Sequence, residues 1–588
     1  MEKDNFAVTI KKCTKKKMPI IWNMVIAFFS LLRIVLSSGY VYHFLVSAGL
    51  DDQWMVKRAY NILAGIWLGD YSDVTLIKSV TYPLLLAFFR ALGIPYGIGV
   101  GILYVCISYI FVKALRPIIS NNYLAGFIYL AVLFSPVGFL TLTSARIYRN
   151  SLSHWLALLV ISSIIGIYLR RNTEYKRLRK WFLAESFSIM IFWELREDGV
   201  WIMSFVVPAM LILFIYWTAH KRKVLKTFLI VCIPFFAIII LELGLSAINY
   251  NRYGIFTTND RTGTYCGKVM SLLYKIDDGK NEDDRIWVSN DAIKLARNVS
   301  PTLDSFGDVI DESRKFWMLP TSYGADVPGD HSEWALRQAV LEIGYYKDAR
   351  TTNDFYKSIY QELKKGFEDG RLKEKKGISL SSQMRPFTFE DIKESFKLSK
   401  KVVIKYANYD STGVYISYTA EGMDEFDKGL FENLLLTNII DYDENHEVDI
   451  ENRGDYASAH YSSFIIGLLN RIWKLYKKVV VFLNYLSLGA IIFMFISMIF
   501  EIRRKEYYSF YAFLLTMGMV LVLIFYTMVI CLWGAWMTKD AESSMYWFYG
   551  SPGPMLAQVC RILCLTYLYN RIVSIVKKQR QGELYGDI

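Results

Sequence analysis

The residues of this sequence that could do chemistry are charged side chains at the ends of long apolar runs. A carboxylate can take a proton from a hydroxyl group, and arginine or lysine can hold the negative charge of a phosphate. Ionisable groups close to hydrocarbon cost roughly 2.5–3.5 kcal/mol each to insert, so they are usually paired or functional. The set comprises Asp51, Asp52, Lys78, Arg146, Arg149, Arg196, Glu197 and Asp198.

The composition indicates an integral membrane protein. Apolar residues make up 53% of the 588 residues, and the basic residues behind the formal charge of +12 stand in short clusters between apolar runs. This arrangement is typical of membrane topology and predicts no nucleic-acid partner. Only Cys266 of the seven cysteines lies in the long polar stretch, so no disulfide is expected within it. A lone thiol there favours a bacterial surface protein over a disulfide-rich ectodomain.

The apolar runs predict a mainly α-helical, polytopic membrane protein with about ten transmembrane helices and a large extracytoplasmic α+β insert. A helix needs roughly 17–25 residues to cross the bilayer. The predicted spans lie near Pro19–Leu45, Ile98–Leu115, Tyr123–Leu140, Leu152–Tyr168, Trp181–Trp193, Val200–Trp217, Thr227–Leu245, Val479–Phe500, Tyr508–Trp533 and Met555–Val576.

The short apolar run Val80–Gly93 decides the orientation of everything after it. If it crossed the bilayer, the basic clusters Arg170–Lys180 and Lys221–Lys226 would lie outside, against the positive-inside rule. We therefore predict that Val80–Gly93 is interfacial or re-entrant. Both termini are then cytoplasmic in a bacterial cytoplasmic membrane, and all the charged residues named above fall on the external face.

Hydropathy divides the chain into three parts. In the polar middle part, Gln338–Phe367 is predicted to be helical, and Lys401–Ala420 alternates like a β-hairpin. Asp441–Asn452 resembles a calcium-binding loop only superficially, because His446 stands where the turn needs glycine. The predicted domains are an N-terminal transmembrane catalytic module at 1–248 with a first external loop at 46–97, an extracytoplasmic soluble domain at 249–475, and C-terminal transmembrane helices at 476–588.

A pocket of carboxylates and cations on the external face suits one kind of group transfer. Nucleotide sugars are absent there, so a sugar donor must be carried by a lipid, typically a polyprenyl phosphate. Its phosphate leaving group needs cations rather than a strong general acid, and the acceptor hydroxyl needs one base, unlike the carboxylate pair of a glycosidase. We predict Asp51 or Asp52 as that base, with Asp51 favoured and Asp52 orienting it or binding a divalent cation. Phosphate binding is predicted for Arg146, Arg149, Lys78 and Arg196, with support from Tyr148, Glu197, Asp198, Trp67 and Tyr71.

Each of these features also has a structural interpretation. Paired aspartates after a span can be a solvated helix end or an N-cap. Arg146 and Arg149 can be interfacial residues whose long side chains place the guanidinium group at the membrane–water interface. Arg196 can form a structural ion pair with a neighbouring carboxylate. Trp67 and Tyr71 fit an aromatic interfacial belt as well as a sugar platform.

The paired acids, the stretch "GIWLGDY" at Gly65–Tyr71, and Lys78 ahead of Tyr82–Leu84 resemble a group of bacterial multispanning proteins. That group is similar to the GT-C superfamily, which includes protein O-mannosyltransferases and the aminoarabinose transferase of lipid A. The resemblance covers roughly residues 1–220 and implies a polytopic fold, a polyprenyl-phosphate-linked donor and a catalytic aspartate in the first external loop. The sequence departs from the mannosyltransferases in having Asp-Asp where they have Asp-Glu, and residues 249–475 have no counterpart.

The leading hypothesis is therefore a membrane glycosyltransferase that acts on an extracytoplasmic glycan, polymer or protein. No cofactor is certain, and a divalent cation stays open. One alternative is a transporter or flippase of lipid-linked glycans, which would need charges along a path across the bilayer. The predicted spans hold few such charges, with Glu185 and Glu242 as the nearest exceptions. A further alternative is a non-catalytic assembly or adhesion protein.

Overall fold

The structure is a computed structural model that describes residues 20–43, 50–119, 121–280, 283–321, 324–416, 425–439 and 453–586. The basic N-terminal cluster, the start of the first loop and Asp441–Asn452 lie outside these residues. The first part of the chain forms α1 (Ile20–Ser38), α2 (Asp52–Leu63), α3 (Thr81–Ala91), α4 (Tyr96–Leu115), α5 (Asn122–Leu133), α6 (Asn150–Tyr168), α7 (Tyr175–Trp193), α8 (Met203–Ala219), α9 (Val224–Val231) and α10 (Ile233–Tyr253).

The rest of the described chain is also mainly helical. Its one sheet pairs β1 (Leu319–Thr321) with β2 (Gly324–Asp326), antiparallel, with Leu319 opposite Asp326. The helices are α11 (Asp260–Gly263), α12 (Tyr265–Leu273), α13 (Asn290–Val299), α14 (Pro301–Asp304), α15 (Gly307–Trp317), α16 (His331–Glu342), α17 (Ala349–Glu368), α18 (Phe389–Asn408), α19 (Glu425–Leu435), α20 (Arg453–Arg503), α21 (Tyr508–Gly534), α22 (Ser544–Tyr549) and α23 (Pro552–Gly586).

Eight helices of the described chain are long and apolar enough to cross a membrane, as in a multi-pass membrane protein. They agree with eight of the predicted spans. The predicted span Tyr123–Leu140 is not one helix, because α5 ends at Leu133 and a 3-10 turn at Pro136–Gly138 follows. The predicted span Trp181–Trp193 is the apolar end of α7, whose beginning carries four basic residues among its first six. The eight helices are α1, α4, α6, Glu197–Ala219, α10, His460–Arg503, α21 and Pro552–Val576.

A buried arginine in α1 donates hydrogen bonds to backbone carbonyls at and after the end of α5, which lies before the predicted end of the span. Arg33 is almost fully buried, and it donates from Nε to the carbonyl of Leu133 at 3.2 Å and from Nη2 to that of Gly138 at 2.8 Å. An unsatisfied carbonyl in an apolar interior costs several kcal/mol, so the break needs such a donor. The hydropathy pattern does not predict this role of Arg33. Arg33 is an ionisable group inside the bundle, in addition to the predicted exceptions Glu185 and Glu242.

The ambiguous apolar run Val80–Gly93 forms the short helix α3. Its 11 residues extend about 16 Å, roughly half the thickness of the hydrocarbon layer, so α3 is too short to cross. The Tyr82 hydroxyl lies 2.9 Å from that of Tyr96 and ties α3 to the start of α4. This length agrees with the prediction that Val80–Gly93 is not a span.

Buried residues between 266 and 372 form a second hydrophobic core, which also includes Trp536 from the segment after α21. The predicted helix Gln338–Phe367 is two helices, α16 and α17. They are separated by a turn in which Gly344 has φ +80°, and the Asp348 side chain caps α17 by accepting from the Thr351 amide.

The predicted β-hairpin at Lys401–Ala420 is wrong for its first part, because residues up to Asn408 belong to α18. Val402 and Tyr406, four residues apart, are buried on one face of this helix. The Ala407 carbonyl accepts from Asn484 of α20 at 2.9 Å and from Arg561 of α23 at 2.7 Å. By its packing α18 therefore belongs with the transmembrane helices. Residues 417–420 lie outside the described chain.

We predict that Arg33→Met lowers the thermal stability of the detergent-solubilised protein. The substitution leaves the Leu133 and Gly138 carbonyls without their donor, and hydrogen bonds to charged groups contribute about 1.5–3 kcal/mol each. Arg177→Met is the matched control, because Arg177 is exposed on α7. Equal melting temperatures for the two variants would contradict this role of Arg33.

Candidate functional site

The charged residues of the first loop meet the arginine of the α5–α6 connection at one end of the helix bundle. Asp51 forms an ion pair with the Lys78 ammonium group, and its other oxygen lies 3.2 Å from Arg146 Nη2. Arg146 also contacts Asp52, with Nη2 2.7 Å and Nε 2.8 Å from Oδ1. Residues far apart in sequence thus share one cluster, which we call the charged cluster.

Tyr148 lies at the centre of the charged cluster. Its hydroxyl donates to Asp51 Oδ1 at 3.1 Å and accepts from Lys78 Nζ at 3.2 Å and from Arg149 Nε at 3.1 Å. One phenol therefore joins the Asp51–Lys78 pair to the next cation along the chain.

The motif after α7 supplies the other half of the cluster. Glu197 Oε2 lies 2.6 Å from Arg149 Nη1, and Oε1 accepts from the Ser79 amide at 2.8 Å. Arg196 instead pairs with Asp198 at 2.6 Å and donates to the Tyr549 carbonyl at 3.4 Å. The structure thus joins Glu197 to the cluster and leaves Arg196 in a local ion pair beside it.

Arg146 and Arg149 do not share a helical face. Arg146 is extended and follows a π-helical turn, Thr141–Ala145, while Arg149 immediately precedes α6. The backbone of His43 holds this segment, since its amide donates to Ala145 at 3.0 Å and its carbonyl accepts from Ile147 at 2.8 Å. Backbone pairing directs Arg146 toward Asp51, and π-helical turns are frequent at functional sites.

The two aspartates have different surroundings. Asp51 stands at the N-cap position of α2, yet its side chain makes no capping hydrogen bond, so its carboxylate serves the charged cluster instead. The Asp51 side chain is 31% exposed, whereas that of Asp52 is fully buried. Asp51 is therefore the accessible carboxylate and Asp52 the supporting one.

Burial and neighbouring charges shift the ionisation of the Asp51–Lys78 pair. Burial lowers the pKa of Lys78 to about 8, although Asp51 opposes this shift. Burial alone would raise the pKa of Asp51, but Lys78 and Arg146 outweigh it and lower that pKa to about 2. Both members are consequently charged at neutral pH.

The short helix α22 packs on the charged cluster. The sequence did not predict this contact. The Phe548 ring stacks on Tyr148 with centroids 6.0 Å apart and an angle of 15° between the rings. The Arg146 guanidinium lies 5.1 Å from the centre of the Phe548 ring. The available signal was the aromatic run "YWFY" in a connection that the predicted topology places on the same face.

Trp67 and Tyr71 do not join the charged cluster. Trp67 donates from its indole nitrogen to Asn249 Oδ1 at 2.7 Å, and the Tyr71 ring packs near those of Tyr253 and Tyr346. They tie the first loop to α10 and to the core of residues 266–372. In this structure they are anchors of the loop, and the predicted supporting role in the site is not seen.

The surroundings of Asp52 do not fit a divalent cation. Its buried carboxylate faces the Arg146 guanidinium, which would repel a metal ion at the same oxygens. Within the described ranges, no group of three or more histidine, cysteine, aspartate or glutamate side chains could hold a metal ion. The cations that contact the carboxylates of the charged cluster are Lys78, Arg146 and Arg149.

A cavity of about 310 Å³ lies beside the charged cluster. Ile147, between Arg146 and Tyr148 in the chain, forms part of its wall. Its other walls include Tyr40, Tyr42, Tyr96 and Tyr461. This cavity thus adjoins the segment from which Arg146 and Tyr148 contact Asp51.

Comparison with known proteins adds no assignment. No protein-family model, no curated protein and no solved structure matches this chain.

We predict that Asp52→Asn destabilises the protein more than Asp51→Asn. Arginine cannot lose its proton, so neutralising Asp52 leaves Asp51 as the one carboxylate for both Arg146 and Lys78. Removing one partner of a buried ion pair costs about 3–5 kcal/mol. Lys78 can deprotonate when Asp51 is neutralised, which limits the cost at that position. Chemical unfolding of both variants in detergent measures the difference. A larger loss for Asp51→Asn would reverse the assigned roles.

Proposed function

We propose that this protein is a membrane glycosyltransferase that moves a sugar from a polyprenyl-phosphate-linked donor to a hydroxyl group of an acceptor. The proposed location is the external face of a bacterial cytoplasmic membrane, with a surface glycan, polymer or protein as acceptor. The observation that carries the proposal is the accessible carboxylate of Asp51 in direct contact with Lys78, Arg146 and Tyr148.

The contacts of the charged cluster suggest a role for each group. Asp51 takes the proton of the acceptor hydroxyl as its oxygen attacks the anomeric carbon. The bond from that carbon to the donor phosphate oxygen breaks, and the lipid phosphate leaves with the electron pair. Lys78 and Arg146 stabilise the charge that develops on this oxygen, as preorganised cations do in other transfer reactions. After the step, Asp51 holds the proton of the acceptor, and the negative charge is on the released lipid phosphate beside Lys78 and Arg146.

Donor binding would also activate the base. In the protein alone, Lys78 and Arg146 hold the pKa of Asp51 at about 2 against the effect of burial, which makes it a weak base. A bound phosphate would share these cations and weaken their hold on the carboxylate, so that the pKa of Asp51 rises. The base would then become effective only when the donor is present, which disfavours reaction without it.

The cavity beside Ile147 offers room for part of a substrate near the charged cluster. Its volume of about 310 Å³ lies at the lower end of the usual range for ligand sites. Tyrosine rings in its wall suit the C–H faces of a sugar. We assign to it a part of the acceptor away from the reacting hydroxyl group, because neither Asp51 nor any cation of the charged cluster lines it.

A transporter of lipid-linked glycans is the second candidate. Arg33 and Glu185 are buried within the helix bundle, and a transport path would use such groups. Arg33, however, is engaged with the carbonyls of Leu133 and Gly138 and with Ser37. Following a radiolabelled sugar separates the candidates, because a transferase attaches it covalently to an acceptor, whereas a transporter only changes its leaflet.

We predict that Asp51→Asn lowers transfer from a purified polyprenyl-phosphate-linked donor in reconstituted membranes by about 10²–10⁴-fold, the usual contribution of a general base. Asp70→Asn is the matched control, because Asp70 lies in the same loop and is fully exposed. The control is expected to keep its activity. Unchanged transfer by a folded Asp51→Asn protein would refute the proposed base.

We also predict an alkaline limit that depends on Lys78. Its ammonium group is needed to hold phosphate, and because burial lowers the pKa of Lys78 to about 8, the charged fraction falls as the pH rises through that value. Lys78→Arg keeps the charge to higher pH. The measurement is the pH profile of donor binding or transfer. The same alkaline limit in both proteins would exclude Lys78 as the group that titrates.

A further inference from the structure

One face of α20 changes from basic to apolar along the helix. Its exposed residues recur every three or four positions, so they lie on one side of a 3.6-residue helix. Residues on the opposite side, such as Leu469, Trp473 and Val480, are buried against the bundle. The exposed stripe contains Arg471, Lys474, Leu475, Lys478, Phe482 and Tyr485.

The three cations of this stripe have no ion-pair partner among the residues that the structure describes. The nearby carboxylate of Asp410 already pairs with Lys477 at 2.6 Å and with Lys405 at 3.6 Å. The C-terminal end of α18 contacts α20. Exposed lysines of α18 add positive charge near the stripe. Its unpaired cations among the described residues are Lys397, Lys400 and Lys401.

We propose that the basic part of this stripe binds the headgroups of anionic phospholipids. The apolar continuation belongs to the candidate span His460–Arg503, in which Phe482 and Tyr485 are 63 and 72% exposed. Side chains this exposed on a span face the acyl chains of lipid. Long cationic side chains at the border reach the phosphate layer, where each contributes to attraction by anionic lipid.

Two features select lipid over a soluble acidic partner. Charge complementarity alone would suit either, but the same helical face continues directly into the exposed Phe482 and Tyr485 of a candidate membrane span. The surface is also separate from the charged cluster, whose cations all have carboxylate partners. The proposal therefore holds whether or not the chain is a glycosyltransferase.

The test compares lipid retention by the full chain in nanodiscs made of equal parts of phosphatidylcholine and phosphatidylglycerol. Native mass spectrometry of the released protein counts each lipid. We expect the wild type to retain phosphatidylglycerol preferentially. Arg471→Gln/Lys474→Gln/Lys478→Gln should lose that preference, at about fivefold per charge removed.

Two controls make the result specific. The exposed lysines of Lys294→Gln/Lys315→Gln/Lys364→Gln lie on α13, α15 and α17, and removing the same charge there should leave the preference intact. Lys474→Arg/Lys478→Arg keeps the charge and should also keep the preference. Equal retention by the wild type and the α20 variant would overturn the proposal. So would binding of soluble polyphosphate to this face without any preference for phosphatidylglycerol.

Discussion

The contact of Arg146 with Asp51 and Asp52 is the interaction on which the arrangement of this end of the bundle depends. The arginine comes from the connection between α5 and α6, and the aspartates from the segment after α1. Because Asp52 is fully buried and arginine stays charged, neither partner can be moved away without a large free-energy cost. The connection, the first loop and the start of α2 are therefore held together, and Tyr148 and Arg149 are positioned as a consequence.

A second constraint is that backbone carbonyls inside an apolar bundle must find donors. The early end of α5 is served by Arg33, and the end of α18 by Arg561 and Asn484. Irregular backbone at membrane depth is tolerated only where protein groups satisfy it. These buried polar side chains thus allow two helices to end inside the bundle, which gives the α5–α6 connection room to carry the charged cluster.

Balanced charge gives the cluster a way to respond to an anion. Lys78, Arg146 and Arg149 face Asp51, Asp52 and Glu197, so the charged cluster has three cations and three carboxylates. In the proposed reaction, a bound phosphate adds negative charge to the charged cluster. This charge raises the pKa of the carboxylates, so that one of them can take up a proton. The partial exposure of Asp51 makes it the carboxylate best placed to take a proton.

The sequence by itself determined the polytopic helical class, most spans and the prediction that Val80–Gly93 does not cross the bilayer. Hydropathy carries this information locally, and the length of α3 agrees with it. The sequence also identified Asp51, Lys78, Arg146, Arg149 and Glu197, since charge beside hydrocarbon stands out in a sequence. Only the tertiary structure decided which of these groups touch, because partners such as Asp51 and Arg146 are brought together by long-range packing. The same reason explains why the cover by Phe548, the role of Arg33 and the helical state of Lys401–Asn408 were not read from local patterns. There, buried contacts with distant helices outweigh the alternation of the residues themselves.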